Sequence, residues 1–186
     1  MAAVDLQYID RSTETLFDIA TDVISLLRSA NETVGVAESL TGGGVMETLT
    51  SVPGASAAFR GGVVSYATPL KQLLLNVSAE LIAREGVIHA DVAAQMAEGA
   101  RNATAFDGSP ATWGIGTTGV AGPDSQDGKP VGTVFIGIAS PEGSRAWGPF
   151  RFPGPRERVR EATIIEALSK LRDALTARSG GDQTTA

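Results

Sequence analysis

Apolar positions recur along this chain at helical spacing in some stretches and as short continuous runs in others. Leu16, Ile19, Ala20, Val23, Leu26 and Leu27 fall at helical spacing, which predicts a helix over 12–29 with Ser12 as its N-cap. Thr33 to Glu38 (TVGVAE) reads as a short buried strand. Ser39-Leu40-Thr41-Gly42-Gly43-Gly44 opens a short helix to about Leu49, and Ser51-Val52-Pro53-Gly54 ends it with turn chemistry. Phe59 to Tyr66 (FRGGVVSY) reads as a second strand. Thr68 as N-cap and Pro69 at the first helical position begin another helix and put Lys71 in its first turn.

A short helix is expected over Ala79 to Arg84. Asp91 to Ala105 is amphipathic, with Val92, Ala93, Met96, Ala97 and Ala100 on one face. Thr112 to Thr117 is a strand that runs into the loop Thr118-Gly119-Val120-Ala121-Gly122-Pro123 and on to Lys129-Pro130. Val131 to Ala139 is a strong strand, Pro141 to Ser144 a hairpin turn, and Arg145 to Phe152 its antiparallel return. Pro155 starts the last helix, whose apolar face is Val159, Ala162, Ile165, Leu168, Leu171 and Leu175. Residues 1–11 lack periodicity and 179–186 (SGGDQTTA) are small and polar, so both ends are expected to be tails around a domain over 12–178, the C-terminal one disordered.

Crossover units followed by a hairpin predict one three-layer α/β/α domain with a mixed sheet. In such sheets ligands gather beyond the carboxyl ends of strands. Ser39, Tyr66 and Thr118 each follow or close a predicted strand, so one rim is expected to hold all three.

Composition narrows the chemistry. The 186 residues are 42% hydrophobic, with 5% aromatics and 22 glycines, so small side chains carry much of the packing. The formal net charge of −6, without a long basic run, argues against direct nucleic-acid binding. No cysteine is present, which removes thiol nucleophiles, disulfides and thiolate metal sites. The single histidine, His89, makes a histidine-ligated zinc site very hard to build. It precedes a helix and reads as a hydrogen-bonded residue near the helix start, not as a catalytic base. No signal peptide or apolar run of membrane-spanning length is seen, so a cytoplasmic protein without membrane contact is expected.

The nucleophiles left are serine, threonine, lysine, tyrosine and carboxylates. Ser39, at a glycine-rich helix entry, could be activated by Lys71 if that amine lost its proton. Burial and the positive end of a helix both favour the neutral form. Tyr66 could relay a proton, and backbone amides at the helix entry could hold an oxyanion. On spacing alone a capping Ser39, a solvated Lys71 and a core-edge Tyr66 fit better. Arg156, Arg158 and Arg160 crowd a helix start, where cations are disfavoured, and a phosphate-facing arginine would explain one of them. Asp124, Asp127 and Lys129 read as loop surface, with Lys129 able to reach a ligand.

Several motifs together resemble the CinA C-terminal domain family. They are Val36-Ala37-Glu38-Ser39-Leu40-Thr41-Gly42-Gly43, Phe59 to Tyr66 with Lys71, Gly119 to Pro123, Lys129 to Val134 and Gly154 to Arg160. The likeness covers roughly residues 12–178. It implies an α/β/α fold, a homodimer or higher assembly, no metal or other cofactor, and the stand-alone form of the domain. It also implies nicotinamide-nucleotide amidohydrolase activity, in which nicotinamide mononucleotide and water give nicotinate mononucleotide and ammonia. Carried over by position, Ser39, Lys71 and Tyr66 would be catalytic. Thr41, Gly42, Gly43, Thr118, Gly119, Gly122 and Arg156 would bind substrate. In the mechanism that follows, backbone amides near Gly42 and Gly43 could stabilise the oxyanion. His89, Pro155 and Ala67-Thr68 depart from the family's usual residues. Three other readings stand beside this one: a binding member without turnover, a Ser–Lys amidase of another substrate, and an accessory role in DNA uptake or repair.

Overall fold

The computed structural model describes residues 14–181. Five strands form one sheet in the order β2-β1-β3-β4-β5. Strands β1 (Val34–Glu38), β2 (Phe59–Val64) and β3 (Trp113–Gly119) run parallel. Strands β4 (Thr133–Ser140) and β5 (Gly143–Arg151) form an antiparallel hairpin beside β3. The sheet is therefore mixed, and the α/β class stands as expected.

Helices α1 (Leu16–Ala30), α2 (Gly44–Thr50) and α6 (Arg156–Gly181) cover one face. Their apolar stripes close on Val34, Val36, Ile115 and Ile136 to make the main core. Helices α3 (Thr68–Leu75), α4 (Ala79–Glu85) and α5 (Ala90–Ala103) lie on the other face. There Leu75, Val92, Met96 and Ala100 form a second cluster with Ala37.

The second face explains part of the glycine content. A side chain at Gly35, Gly114, Gly116 or Gly137 would run into a carbonyl oxygen of α5, at Ala100, Ala97 or Ala93. The sheet thus presents bare backbone to α5, and α5 answers with its row of alanines. This close approach replaces the aromatic bulk that the composition lacks.

Element ends differ from the periodicity in ways that local chemistry explains. Helix α1 begins at Leu16 because Thr15 and Asp18 close a capping box, with Asp18 N donating to Thr15 Oγ1 at 3.1 Å. Ser12, the expected cap, lies outside the described residues, as do 1–11 and 182–186. Helix α3 is capped by the extended backbone of Ala67, so Thr68 is the first helical residue rather than the cap. Strand β4 starts at Thr133, two residues late, because Gly132 turns with φ +85° against the Phe152 carbonyl. Gly143 already pairs with Ser140, which shortens the hairpin turn to Pro141 and Glu142. Helix α6 runs on to Gly181, past the expected limit at 178. Among the described residues no helix is long and apolar enough to cross a membrane.

Candidate active site

The site is built where β1 and β3 end. Ser39 follows β1 directly, and its amide donates to the Thr117 carbonyl of β3 at 3.1 Å. Strand β2 ends one strand away, and its exit loop carries Ser65 and Tyr66 into α3. Ser65 is tied back to β1, its amide donating to the Glu38 carbonyl at 2.9 Å. The start of α3 then turns Lys71 inward.

Lys71 is the largest side chain buried outside the apolar core, with 1% of its surface exposed. Its Nζ donates to the Ser65 carbonyl oxygen at 2.7 Å and lies 3.2 Å from Ser39 Oγ. Burial lowers its pKa from 10.5 to about 8, because water no longer stabilises the ammonium. A neutral amine can keep one N–H on Ser65 while its lone pair faces the serine hydroxyl. That is the geometry a general base requires.

A cavity of about 350 Å³ opens in front of this pair. Ser39, Lys71, Tyr66, Thr118, Gly119, Gly122 and Arg156 all line it, so seven of the ten residues expected at the site share one space. Arg156 is held from two sides, its Nη1 donating to the Gly122 carbonyl at 2.9 Å and its Nη2 to Tyr66 Oη at 3.0 Å. Thr118 donates to the Val87 carbonyl at 2.6 Å, which ties the glycine loop to the segment before α5. Asp127, read as loop surface, secures the same segment by accepting from Val87 N at 3.0 Å. Asp124 lines the cavity, whereas Lys129 does not.

The other three expected residues lie elsewhere. Thr41, Gly42 and Gly43 do not line the cavity. Thr41 is fully buried, its hydroxyl bonded to Thr117 Oγ1 at 2.8 Å. The Gly42 amide donates to the Ser39 carbonyl at 3.1 Å. The Gly43 amide is taken by Glu38, whose buried carboxylate also accepts Val45 N and Met46 N, at 2.9, 3.2 and 2.9 Å. A carboxylate inside the protein has thus filled the anion-binding entry of α2, and no oxyanion can use it. Leu40 does line the cavity, and its amide meets no acceptor among the described residues.

Sequence reasoning missed the Ser65 carbonyl and the Glu38 carboxylate. A backbone acceptor leaves no mark in a sequence. Glu38 did leave one, a charged residue closing an otherwise apolar strand. His89 is the N-cap of α5, its Nδ1 accepting from Asp91 N at 3.2 Å, as its position suggested. The three arginines at the start of α6 separate cleanly. Arg156 faces the cavity, Arg158 pairs with Glu161 in solvent, and Arg160 donates to the Thr41 carbonyl at 2.8 Å. A larger groove of about 520 Å³ lies between the β4–β5 turn and α6, and its Lys170 is paired with Glu166 at 3.0 Å.

The family model described as the CinA C-terminal domain matches residues 16–175 of the chain. The chain belongs to the CinA C-terminal domain family. A CinA-like protein of Frankia casuarinae is 46% identical over 163 residues, covering 88% of this chain and 36% of the relative. One from Thermosynechococcus vestitus is 47% identical over 156 residues, covering 82% of this chain and 36% of the relative. The chain therefore spans about a third of the length of these curated relatives. Among solved structures, the competence/damage inducible protein CihA from Agrobacterium tumefaciens superposes with a TM-score of 0.79 at 31% identity, covering 87% of this chain and 95% of that one. A CinA superfamily protein from Escherichia coli gives 0.80 at 27% identity, covering 90% and 94%. In this CinA domain the Ser39–Lys71 cavity lies within the matched region.

Proposed function

We propose that this CinA domain hydrolyses the carboxamide of nicotinamide mononucleotide, releasing ammonia and nicotinate mononucleotide. The observation that carries the reading is the 3.2 Å approach of the buried Lys71 Nζ to Ser39 Oγ, in a cavity that also presents Arg156. At about 350 Å³ the cavity falls within the ~300–1,000 Å³ usual for small-molecule sites.

Ser39 Oγ attacks the carboxamide carbon while neutral Lys71 takes its proton. With a pKa near 8, about a tenth of the lysine is neutral at pH 7. The tetrahedral oxyanion takes a hydrogen bond from the amide of Leu40, the residue that follows the nucleophile and lines the cavity. The lysine returns its proton to the amide nitrogen, the C–N bond breaks, and ammonia leaves a serine ester. Water then attacks that ester with Lys71 again accepting the proton, and Ser39 is restored. Arg156 meets the substrate phosphate, which supplies locally the positive charge that an acidic chain lacks overall.

The test is ammonia release from nicotinamide mononucleotide by wild type and Ser39→Ala, with chelator present. Release by wild type alone supports the reading. Binding without release would favour a binding module, and release only from other amides would favour an amidase of different substrate.

A further inference from the structure

Tyr66 is hydrogen-bonded to Arg156 and not to the Ser39–Lys71 pair. Its hydroxyl oxygen accepts from Arg156 Nη2 at 3.0 Å. The hydrogen bonds of Lys71 Nζ go instead to Ser65 O and Ser39 Oγ. Tyr66 is also 59% exposed, so water reaches the same region and can carry protons without it. The guanidinium is more constrained than the tyrosine. It is gripped by the β2–α3 loop through Tyr66 and by the glycine loop through the Gly122 carbonyl at 2.9 Å. Two of its five N–H donors hold these contacts, and among the described residues the remainder meet no acceptor and can take an anion.

We infer, resting on the deamidase reading above, that Tyr66 is a positioning residue. It fixes Arg156 as a preorganised anion clamp and so makes the site selective for phosphorylated over unphosphorylated pyridinium amides. Arginine loses much rotamer freedom when it binds a ligand, and Tyr66 with Gly122 has removed that freedom beforehand. Removing the hydroxyl therefore weakens phosphate capture and leaves the chemistry at Ser39 largely intact.

The test compares nicotinamide mononucleotide with nicotinamide riboside, which lacks only the phosphate. Tyr66→Phe should raise KM for the nucleotide about tenfold while kcat falls less than twofold. KM for the riboside should change less than twofold. In an Arg156→Gln background the same substitution should add less than twofold, because its effect runs through Arg156. A hundredfold loss of kcat on both substrates would make Tyr66 a proton relay and overturn the inference, as would equal KM effects on both. If wild type releases no ammonia, the deamidase reading fails separately. Calorimetry with nicotinate mononucleotide and nicotinate riboside then decides the role of Tyr66. Tenfold weakening confined to the nucleotide supports it. Equal weakening, or no nucleotide binding by wild type, overturns it.

Discussion

The carboxylate of Glu38 accepts the amide of Gly43 at 2.9 Å, and this contact fixes the turn that carries Ser39. Glu38 is wholly buried and satisfies three amides of α2, so it serves as an internal cap in place of solvent or ligand. Glu38→Ala would leave one buried and two half-buried donors without their acceptor. We expect a loss on the order of 2–4 kcal/mol, read as a lowered denaturation midpoint. Glu38→Gln keeps an acceptor oxygen and should lose less than half as much.

Under the proposed function, the depressed pKa of Lys71 predicts a pH dependence of rate. In the proposed mechanism the neutral amine is the active form, so kcat/KM for nicotinamide mononucleotide should rise with pH through a midpoint near 8 and level above it. The profile is read by ammonia release across pH 6 to 9.5. A flat profile there would remove Lys71 from the base role.

The same group sets a pH dependence of stability, with a defined sign. Below pH 8 the lysine is charged in both states, and the fold carries the full cost of burying it. Between about 8 and 10.5 the folded protein has released the proton and the unfolded chain has not, so stability rises with pH. The whole change is at most on the order of 3 kcal/mol. Wild type minus Lys71→Met, measured by denaturant unfolding across that window, should show this rise, since methionine fills the space without titrating.

Much of this architecture was legible in the sequence, and the reasons differ by element. Strand β1 announced itself because it is buried on both faces and reads as one apolar run. Helix α5 showed a clear stripe because small residues face the sheet and polar ones face water. The cap of α1 was misplaced because Ser12 and Thr15 are both good caps, and only the Asp18 side chain chooses between them. At the site, Ser39, Lys71 and Arg156 were readable as residue types with chemistry. The oxyanion role expected of the Gly42 and Gly43 amides has no free donor behind it, because the Ser39 carbonyl accepts the Gly42 amide and the Glu38 carboxylate the Gly43 amide, neither of which residue type or spacing reveals.

Packing of α5 on the sheet offers a test of the fold that is independent of the site. Gly116→Ala would push a methyl group into the α5 backbone at Ala93 and Ala97. Backbone cannot yield as a flexible side chain does, so a destabilisation of at least about 2 kcal/mol is expected in denaturant unfolding. Gly108→Ala, where nothing lies within 4 Å of the added carbon but φ is +74°, is the control for backbone strain alone and should cost about 1 kcal/mol.

In the proposed function the Lys71 amine activates the Ser39 hydroxyl. Its most direct test is the rate of ammonia release from nicotinamide mononucleotide by Lys71→Ala, in protein whose circular dichroism and unfolding transition match a folded domain. We expect a fall of at least about a thousandfold relative to wild type. Wild-type turnover by the folded Lys71→Ala protein would contradict it.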